Sequence, residues 1–244
     1  SGTAIFSPQE IREDVNYILE KGFMSYKMRV GIQDWKIDIE RVSVARKMLK
    51  KNELMVDSIM GTINPPWSEK QAIKCAKDLL SFDLAWLEEP VHPENLSGLE
   101  KVSKSKIVPI AAGEAYNGRT EYDLIIAKEA VDILQFDATH SGGISFCIDL
   151  AKKSKIKKIR NAVHVWGSAV AISSNASLAL SSDNIEILEI PMVSLEISDQ
   201  MWVEKPKFKD GFFFPSDAPG LGVEISRELC EKYPMRKGSG YRLQ

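Results

Sequence analysis

The sequence predicts one large domain built as a parallel β/α barrel. Short apolar runs alternate with amphipathic helical patterns along most of the chain, which favours a parallel sheet with helical crossovers. Several of these runs end in an acidic residue, as strands do at the rim of a barrel. No glycine-rich phosphate loop follows the first predicted strand, which counts against a doubly wound sheet. The length of 244 residues is close to the usual size of an eightfold barrel.

The first elements are marked by local signals. Residues 7–10 combine a serine N-cap, a proline at the first helical position and a glutamate at the third, so a helix is predicted from there to about residue 21. Residues 26–30 follow as a strand. Side chains alternate between the two faces of a strand, so Lys27 and Arg29 lie on the same face.

The same alternation of helix and strand repeats through the middle of the chain. Apolar residues recur there with helical spacing between the predicted strands. We predict further helices at 38–51, 68–81, 120–129, 144–154 and 168–180. We predict strands that end at Asp57, Glu88, Glu114, Asp137, His164 and Glu189.

The regular alternation is lost after residue 190. Residues 202–214 indicate a β excursion, and 226–232 indicate a last short helix. We therefore predict one barrel domain over 1–244, in which 191–244 form a C-terminal extension packed outside the barrel or towards a cap.

Polar residues at the ends of parallel strands converge on one rim, where barrel enzymes build their active sites. Asp57, Glu88 and Glu114 each close an apolar run. A single carboxylate in this position is more often a cap or a surface residue. Three in register indicate a metal site, and the histidine at the end of a later strand lies on the same predicted rim.

Composition and charge exclude several classes of function. A net charge of -2 with dispersed lysines gives no basic face for nucleic acid. The sequence has no apolar run of transmembrane length and no signal segment at its start, so we expect no membrane partner. Its three cysteines are far apart, which favours buried free thiols in a reducing compartment over disulfides. We therefore expect a cytoplasmic protein.

The order and spacing of several short motifs resemble the enolase superfamily, in particular its mandelate racemase-like branch of acid-sugar dehydratases and racemases. The motifs span almost the whole chain; they are Gly22-Phe23, Lys27-Met28-Arg29-Val30-Gly31, Glu88-Glu89-Pro90, Gly142-Gly143 and Pro219-Gly220-Leu221-Gly222. The resemblance implies a modified β/α barrel that binds Mg²⁺ through Asp57, Glu88 and Glu114. Three monodentate carboxylates leave about half of an octahedral shell for water and substrate oxygens, which suits Mg²⁺.

The resemblance also implies roles for the residues on the later strands. His164 resembles the base that abstracts a proton next to a substrate carboxylate. Asp137 resembles the aspartate that accepts a hydrogen bond from this histidine and fixes its tautomer. Glu189 resembles the residue that hydrogen-bonds the carboxylate as it becomes an enediolate, and Lys27 the cation that neutralises it. Trp166 lies near enough in sequence to His164 to line the substrate pocket.

Some positions depart from the family pattern and influence the expected reaction. Arg29 stands where the racemases carry a second lysine, and a guanidinium that stays protonated is a poor general base. We therefore expect Arg29 to hold a substrate carboxylate or hydroxyl while one base dehydrates a sugar acid to a 2-keto-3-deoxy acid. Ile59 and Ala115 stand where asparagine is common, and Val163 replaces a proline. The alternatives are a racemase or epimerase of a 2-hydroxy acid and a catalytically silent barrel kept for binding or assembly.

The individual residues also have ordinary explanations. Lys27 and Arg29 could form a plain solvated strand face, although inward-facing cations in a barrel need anions. His140, in a loop after a strand, ranks second as the active histidine, and His92, after the Glu-Glu-Pro triplet, ranks third. Glu89 is expected to point away from the metal.

Two further expectations follow from the resemblance. The family carries an N-terminal α+β domain over the barrel mouth, and this sequence starts at what looks like the barrel, so either the sequence is a fragment or the protein lacks its lid. The partners expected are a small-molecule carboxylate substrate, a sugar acid, and further copies of the chain in a homo-oligomer. The tail 237–244 could serve a neighbouring domain or subunit.

Overall fold

The predicted parallel sheet is confirmed. The structure, a computed structural model, describes residues 5–193 and 195–235. Seven strands form one sheet in sequence order, and all neighbouring pairs are parallel. The strands are β1 (Ser25–Arg29), β2 (Glu53–Asp57), β3 (Trp86–Glu88), β4 (Ile110–Ala112), β5 (Ile133–Phe136), β6 (Arg160–Val163) and β7 (Ile187–Leu188).

The sheet curls into an incomplete barrel. Within the described residues β1 and β7 are its two edges and do not pair with each other. A cavity of about 490 Å³ lies at this opening and is lined by both edge strands together with residues from inside the curl. The fold class is thus a β/α barrel with a lateral gap.

Helices alternate with the strands as the periodicity predicts. Each of the seven strands follows a helix, so every crossover is a helical one. The helices are α1 (Pro8–Glu20), α2 (Trp35–Leu49), α3 (Glu69–Leu79), α4 (Leu96–Lys104), α5 (Arg119–Ala127), α6 (Ile144–Ile156), α7 (Ala169–Leu180), α8 (Glu196–Asp199) and α9 (Arg227–Lys232). No helix in the described part of the chain is long and apolar enough to cross a membrane.

Local hydrogen bonds from capping side chains determine where several helices begin. The predicted capping box is confirmed, since the Ser7 amide donates to Glu10 Oε2 at 2.7 Å and the Glu10 amide donates to Ser7 Oγ at 3.3 Å. Helix α2 begins earlier than predicted because Asp34 caps it and accepts from the Lys36 amide at 2.8 Å. Helix α4 was not predicted; Asn95 caps it through the Gly98 amide.

The two faces of the sheet bury different sets of side chains. Alternate residues fill the inside of the curl, while the others pack against the helices. The inner cluster consists of Met55, Trp86, Ala111, Ile133 and Ala162. Since this cluster fills the barrel below the strand ends, polar side chains that follow it on the same face lie at the rim.

The C-terminal segment packs against α7 and beside the gap between β1 and β7. Its predicted β excursion is an antiparallel hairpin of β8 (Lys207–Lys209) and β9 (Phe212–Phe214). The Phe208 ring lies 5.6 Å from the Phe23 ring, centroid to centroid, ahead of β1. Met201 and Leu229 join a second cluster with Ala169 of α7. The tail 237–244, considered above as a contact for a neighbour, lies outside the described residues.

Candidate active site

Strand register brings the predicted acids to one rim. Arg29 pairs with Asp57 between β1 and β2, and Asp57 pairs with Glu88 between β2 and β3. Glu114 follows β4 after Gly113, whose φ is +143°. A Cβ at that glycine would come 2.5 Å from a backbone carbonyl oxygen of the next strand, so the chain reaches Glu114 only through a glycine.

Lys27 is the cation at the centre of the acids. Its Nζ lies 2.8 Å from Glu88 Oε1 and 2.9 Å from Glu189 Oε1. Burial alone would lower the pKa of Lys27, but the negative charges of Glu189, Glu88, Asp57 and Glu114 outweigh it and hold the pKa well above its ordinary value. Lys27 is therefore charged, and it joins the first strand of the sheet to the last across the gap.

Glu88 has every oxygen engaged. Its Oε2 accepts hydrogen bonds from Trp86 Nε1 at 2.9 Å and Gln135 Nε2 at 2.8 Å, while Oε1 accepts from Lys27. Burial would raise the pKa of Glu88, but the Lys27 charge and these three hydrogen bonds lower it to about 2. Glu88 is thus an ionised carboxylate in a fully buried position.

Asp57 and Glu114 have fewer stabilising partners. Burial, and then the charge of Glu88, raise the pKa of Asp57 well above its ordinary value and raise that of Glu114 to about 8. Asp57 accepts from the Ile59 amide at 2.9 Å. Among the described residues Glu114 Oε2 is buried without a hydrogen-bond partner, and His164 Nε2 lies 3.5 Å from it. An orphan buried oxygen beside further carboxylates is the environment that a cation relieves.

The three acids do not converge on a single point as they stand. In the portion of the chain that the structure describes, one group of three side chains has potential metal ligand atoms within 4.8 Å of one another. Its members are Asp137, His140 and His164. The carboxylates of Asp57, Glu88 and Glu114 share a rim and a field of negative charge but not one coordination sphere.

Glu89 is a fourth acid close to this rim. It is buried, with a positive φ of +43°. Burial, followed by the charges of Asp57 and Glu88, raises the pKa of Glu89 to about 8. The two adjacent glutamates before Pro90 were a signal that two carboxylates enter the same environment.

Asp137 and His164 form a hydrogen-bonded pair beside these acids. Residues Phe136 and Val163 are register partners of β5 and β6, so the residues that follow them are neighbours. Asp137 Oδ2 lies 3.0 Å from His164 Nδ1. Burial would lower the pKa of His164, but the hydrogen bond with Asp137 and the charge of Glu114 raise it to about 9.

The other oxygen of Asp137 is held by residues that the sequence did not indicate. Oδ1 accepts from the Thr139 amide at 2.8 Å, from Thr139 Oγ1 at 2.6 Å and from Asn175 Nδ2 at 2.7 Å. Burial would raise the pKa of Asp137, but the hydrogen bonds from His164, Asn175 and Thr139 lower it to about 2. A threonine two residues after a strand-end aspartate is a detectable local signal, whereas an asparagine on α7 is not.

The remaining predicted residues lie around the same opening. Glu189 Oε2 accepts from the Val165 amide at 3.3 Å, which holds it beside Lys27. The Arg29 guanidinium carbon lies 5.3 Å from the centroid of the Trp166 ring, and its Nε lies 3.6 Å from Asp57 Oδ2. The structure thus places eight of the nine predicted site residues at or just beyond the C-terminal ends of the strands, and the ninth, Lys27, reaches them from the middle of β1.

The other two histidines differ in position. The His140 ring lies 6.2 Å from the His164 ring, centroid to centroid. His92 lies outside this group, with Nδ1 4.0 Å from Glu94 Oε2. His140 is therefore a neighbour of the Asp137–His164 pair, and His92 is not.

The fold and the rim together define the class of protein: a β/α barrel domain with a lysine, a set of buried carboxylates and an aspartate–histidine pair at its strand ends. A family model described as enolase C-terminal domain-like matches residues 10–229. The chain belongs to the enolase superfamily, and the resemblance drawn from its motifs is confirmed.

Relatives and solved structures agree with this assignment. A D-galactonate dehydratase family member from Musicola paradisiaca is 32% identical over 169 residues, which cover 68% of this chain and 40% of that protein. The 3,6-anhydro-D-galactonate cycloisomerase from Zobellia galactanivorans is 27% identical with a TM-score of 0.84, over 95% of this chain and 64% of that one.

A further solved structure shares the fold. L-talarate dehydratase from Polaromonas sp. JS666, complexed with Mg and L-glucarate, is 24% identical with a TM-score of 0.81, over 95% of this chain and 61% of that one. The chain thus spans about two fifths to two thirds of the length of these proteins.

Proposed function

We propose that this domain dehydrates a sugar acid to a 2-keto-3-deoxy acid with the help of Mg²⁺. The observation that carries the proposal is the placement of His164, whose Nδ1 faces Asp137 at 3.0 Å and whose Nε2 faces the acid cluster at 3.5 Å from Glu114. The Asp137 carboxylate therefore holds Nδ1 in place, while Nε2 points towards the position where a bound sugar-acid substrate would lie. The names of relatives such as the D-galactonate dehydratase family member support the same substrate class.

The donor set fits a hard divalent cation. Asp57, Glu88 and Glu114 offer only carboxylate oxygens, which Mg²⁺ prefers, and one of them is a buried oxygen without a hydrogen-bond partner in the described chain. The three carboxylates do not share one coordination sphere as they stand, so these residues would hold the ion after their side chains move closer together. When bound, Mg²⁺ supplies positive charge beside the substrate carboxylate, where negative charge develops during proton abstraction.

His164 would carry out both proton transfers, starting from its neutral form; because its pKa is raised to about 9, this form increases as pH rises towards that value. Its Nε2 takes the α-proton, and the electrons of the broken C–H bond move towards the substrate carboxylate, which becomes an enediolate. These electrons then form the double bond between the α- and β-carbons as the β-hydroxyl leaves with the proton that Nε2 returns, so one water is lost and the enol product becomes a 2-keto acid. Asp137 keeps the Nδ1 proton in place and stabilises the charged ring between the two steps.

Lys27, Glu189 and Arg29 would position the substrate. Lys27 is charged and buried beside Glu189, so it is suited to neutralise the substrate carboxylate. Arg29 is partly exposed over Trp166 and could bind a more distant hydroxyl or carboxylate. Since an arginine does not give up its proton, the structure offers no group at that position for a second base, and racemisation is the weaker proposal.

Turnover of an acid-sugar panel tests the proposal. The purified protein is incubated with each acid in deuterated water, with Mg²⁺ or with a chelator, and both 2-keto acid and exchange of the α-proton are measured. We expect keto acid that depends on Mg²⁺. Exchange without keto acid would indicate a racemase or epimerase, and neither product would indicate a barrel kept for binding or assembly.

A further inference from the structure

A second group of metal-binding residues lies beside the acids. Asp137, His140 and His164 each offer one ligand atom, and these atoms lie within 4.8 Å of one another. Two imidazoles and one carboxylate form a typical zinc-binding set, whereas Mg²⁺ prefers oxygen ligands. The chemistry of this group therefore differs from that of the neighbouring carboxylates.

We propose that Asp137, His140 and His164 bind Zn²⁺ or a similar transition-metal ion, and that this ion inhibits the domain by occupying His164. The site is distinct from the carboxylate site proposed for Mg²⁺. The binding does not depend on the proposed function, while the inhibition does.

The existing contacts suit such an ion. Asp137 Oδ2 and His164 Nδ1 lie 3.0 Å apart. Two ligand atoms at zinc bond lengths of about 2.0–2.1 Å in tetrahedral geometry lie roughly 3.3 Å apart, so the ion replaces the shared proton with little movement. The released proton goes to solvent. Three hydrogen bonds from Thr139 and Asn175 already hold the other oxygen of Asp137, which is the support that metal ligands usually have.

His140 completes the group from the solvent side. It is exposed, while His164 and Asp137 are buried, so an ion has a path from solvent to the pair. The two imidazole rings lie 6.2 Å apart, centroid to centroid, at an angle of 37°. A fourth coordination position remains for water, since the described residues supply three ligands.

Occupation of this site would remove the proposed base. An imidazole that binds a metal through Nδ1 keeps its proton on Nε2 and cannot accept another. Nε2 is the nitrogen that faces Glu114 at 3.5 Å, on the side of the acids. Zinc would therefore block proton abstraction without contact with Asp57 or Glu88.

Zinc titration of histidine variants tests the site. The sequence has three histidines, so His92 serves as a matched control for His140. Zinc affinity is measured by calorimetry with Mg²⁺ in excess, and all proteins carry Cys230→Ser because that thiol is exposed. We expect one zinc per chain, at least about tenfold weaker binding in His140→Ala, and unchanged binding in His92→Ala.

NMR spectra of the imidazole nitrogens in the ¹⁵N-labelled protein provide a second readout of zinc binding. Zinc should shift the signals of His140 and His164 and leave those of His92 in place. Equal affinity in wild type and His140→Ala, or an equal loss in His92→Ala, would overturn the proposal.

Measurement of sugar-acid turnover with and without zinc tests the zinc site and the proposed dehydratase function independently. Zinc should inhibit the wild type and inhibit His140→Ala at least about tenfold less strongly. Specific binding with no turnover of any sugar acid would retain the zinc site and reject the dehydratase. Mg²⁺-dependent turnover that zinc affects equally in both proteins would retain the dehydratase and reject the inhibitory site.

Discussion

Buried charges are stabilised differently on the two sides of the strand-end rim, the carboxylates that follow the first strands and the aspartate–histidine pair that follows the later ones. On the first strands, Asp57, Glu88 and Glu114 share one lysine, so burial and repulsion leave two of the three with raised pKa values. On the later strands, Asp137 faces a histidine and accepts three further hydrogen bonds. The acid side is electrostatically incomplete, and the histidine side is internally satisfied.

This difference explains how one rim can hold both a cation and a base. Buried carboxylates without enough partners cost stability until a cation binds, so they create affinity for an ion. A histidine fixed by a satisfied aspartate keeps its orientation whether or not the ion is present. The two sides can therefore be altered and tested separately.

The largest effect is expected from His164→Asn on the histidine side. Turnover should fall by about 10²–10⁴-fold, because the group that moves the proton is lost. Mg²⁺ binding, measured by calorimetry, should not change, since the carboxylates remain. His92→Asn is the matched control and should keep full turnover. An active His164→Asn protein would place the base elsewhere.

Magnesium should stabilise the protein through the acid side. A ligand at a hundred times its dissociation constant raises the free energy of unfolding by about 2.7 kcal/mol. We expect a corresponding rise in Tm when chelator is replaced by Mg²⁺, in wild type and in His164→Asn alike. A Tm that does not respond to Mg²⁺ would mean that the acids do not form a cation site.

Glu114→Gln should stabilise the metal-free protein. Folding at neutral pH must protonate this buried carboxyl group, whose pKa is raised to about 8, and glutamine keeps the shape without that cost, so we expect a gain on the order of 2 kcal/mol at neutral pH in chelator. The variant should also lose much of its Mg²⁺-dependent rise in Tm. Destabilisation in chelator would show that the Glu114 carboxylate is well compensated in the absence of a metal.

The pH dependence of the metal-free protein follows from the same acid. Folding raises the pKa of Glu114 from 4.5 to about 8, so the stability that its protonation contributes is fully present below about pH 4.5 and is lost as pH rises towards 8. Stability in chelator should therefore fall over this range, and it should fall less in Glu114→Gln. Glu89, with a pKa raised to about 8, accounts for a remaining part of the fall.

Thr139→Val should weaken the histidine side moderately. It removes the 2.6 Å hydrogen bond to Asp137 and keeps the backbone bond at 2.8 Å. We expect a loss of about 1 kcal/mol in the free energy of unfolding and roughly tenfold in turnover, with unchanged Mg²⁺ affinity. Thr139→Ser keeps the hydroxyl and should behave as wild type; equal losses in both would point to the methyl group.

Arg29→Lys should have the smallest effect. The arginine is partly exposed, and its contact with Trp166 contributes about 0.5–1 kcal/mol. We expect a severalfold rise in KM for the preferred sugar acid and an unchanged kcat. A fall in kcat as large as that of His164→Asn would show that Arg29 takes part in the chemistry.

The sequence determined which residues reach the rim. Side chains alternate in a strand and parallel strands end at one edge, so the acids and His164 could be placed there from periodicity alone. The family assignment also followed from the sequence, because short motifs in a fixed order survive where the rest of the chain diverges. The expected fold is confirmed by the family match over 10–229.

Only the tertiary structure decided which of these residues contact each other. The register of β5 and β6 sets the 3.0 Å contact of Asp137 with His164, and α7 brings Asn175 to the same carboxylate. The commitment of both Glu88 oxygens, the burial of Glu89 and the approach of His140 likewise depend on residues far apart in sequence. Side-chain direction and burial are set by packing between distant elements, and a pattern read along one strand contains no information about its neighbours.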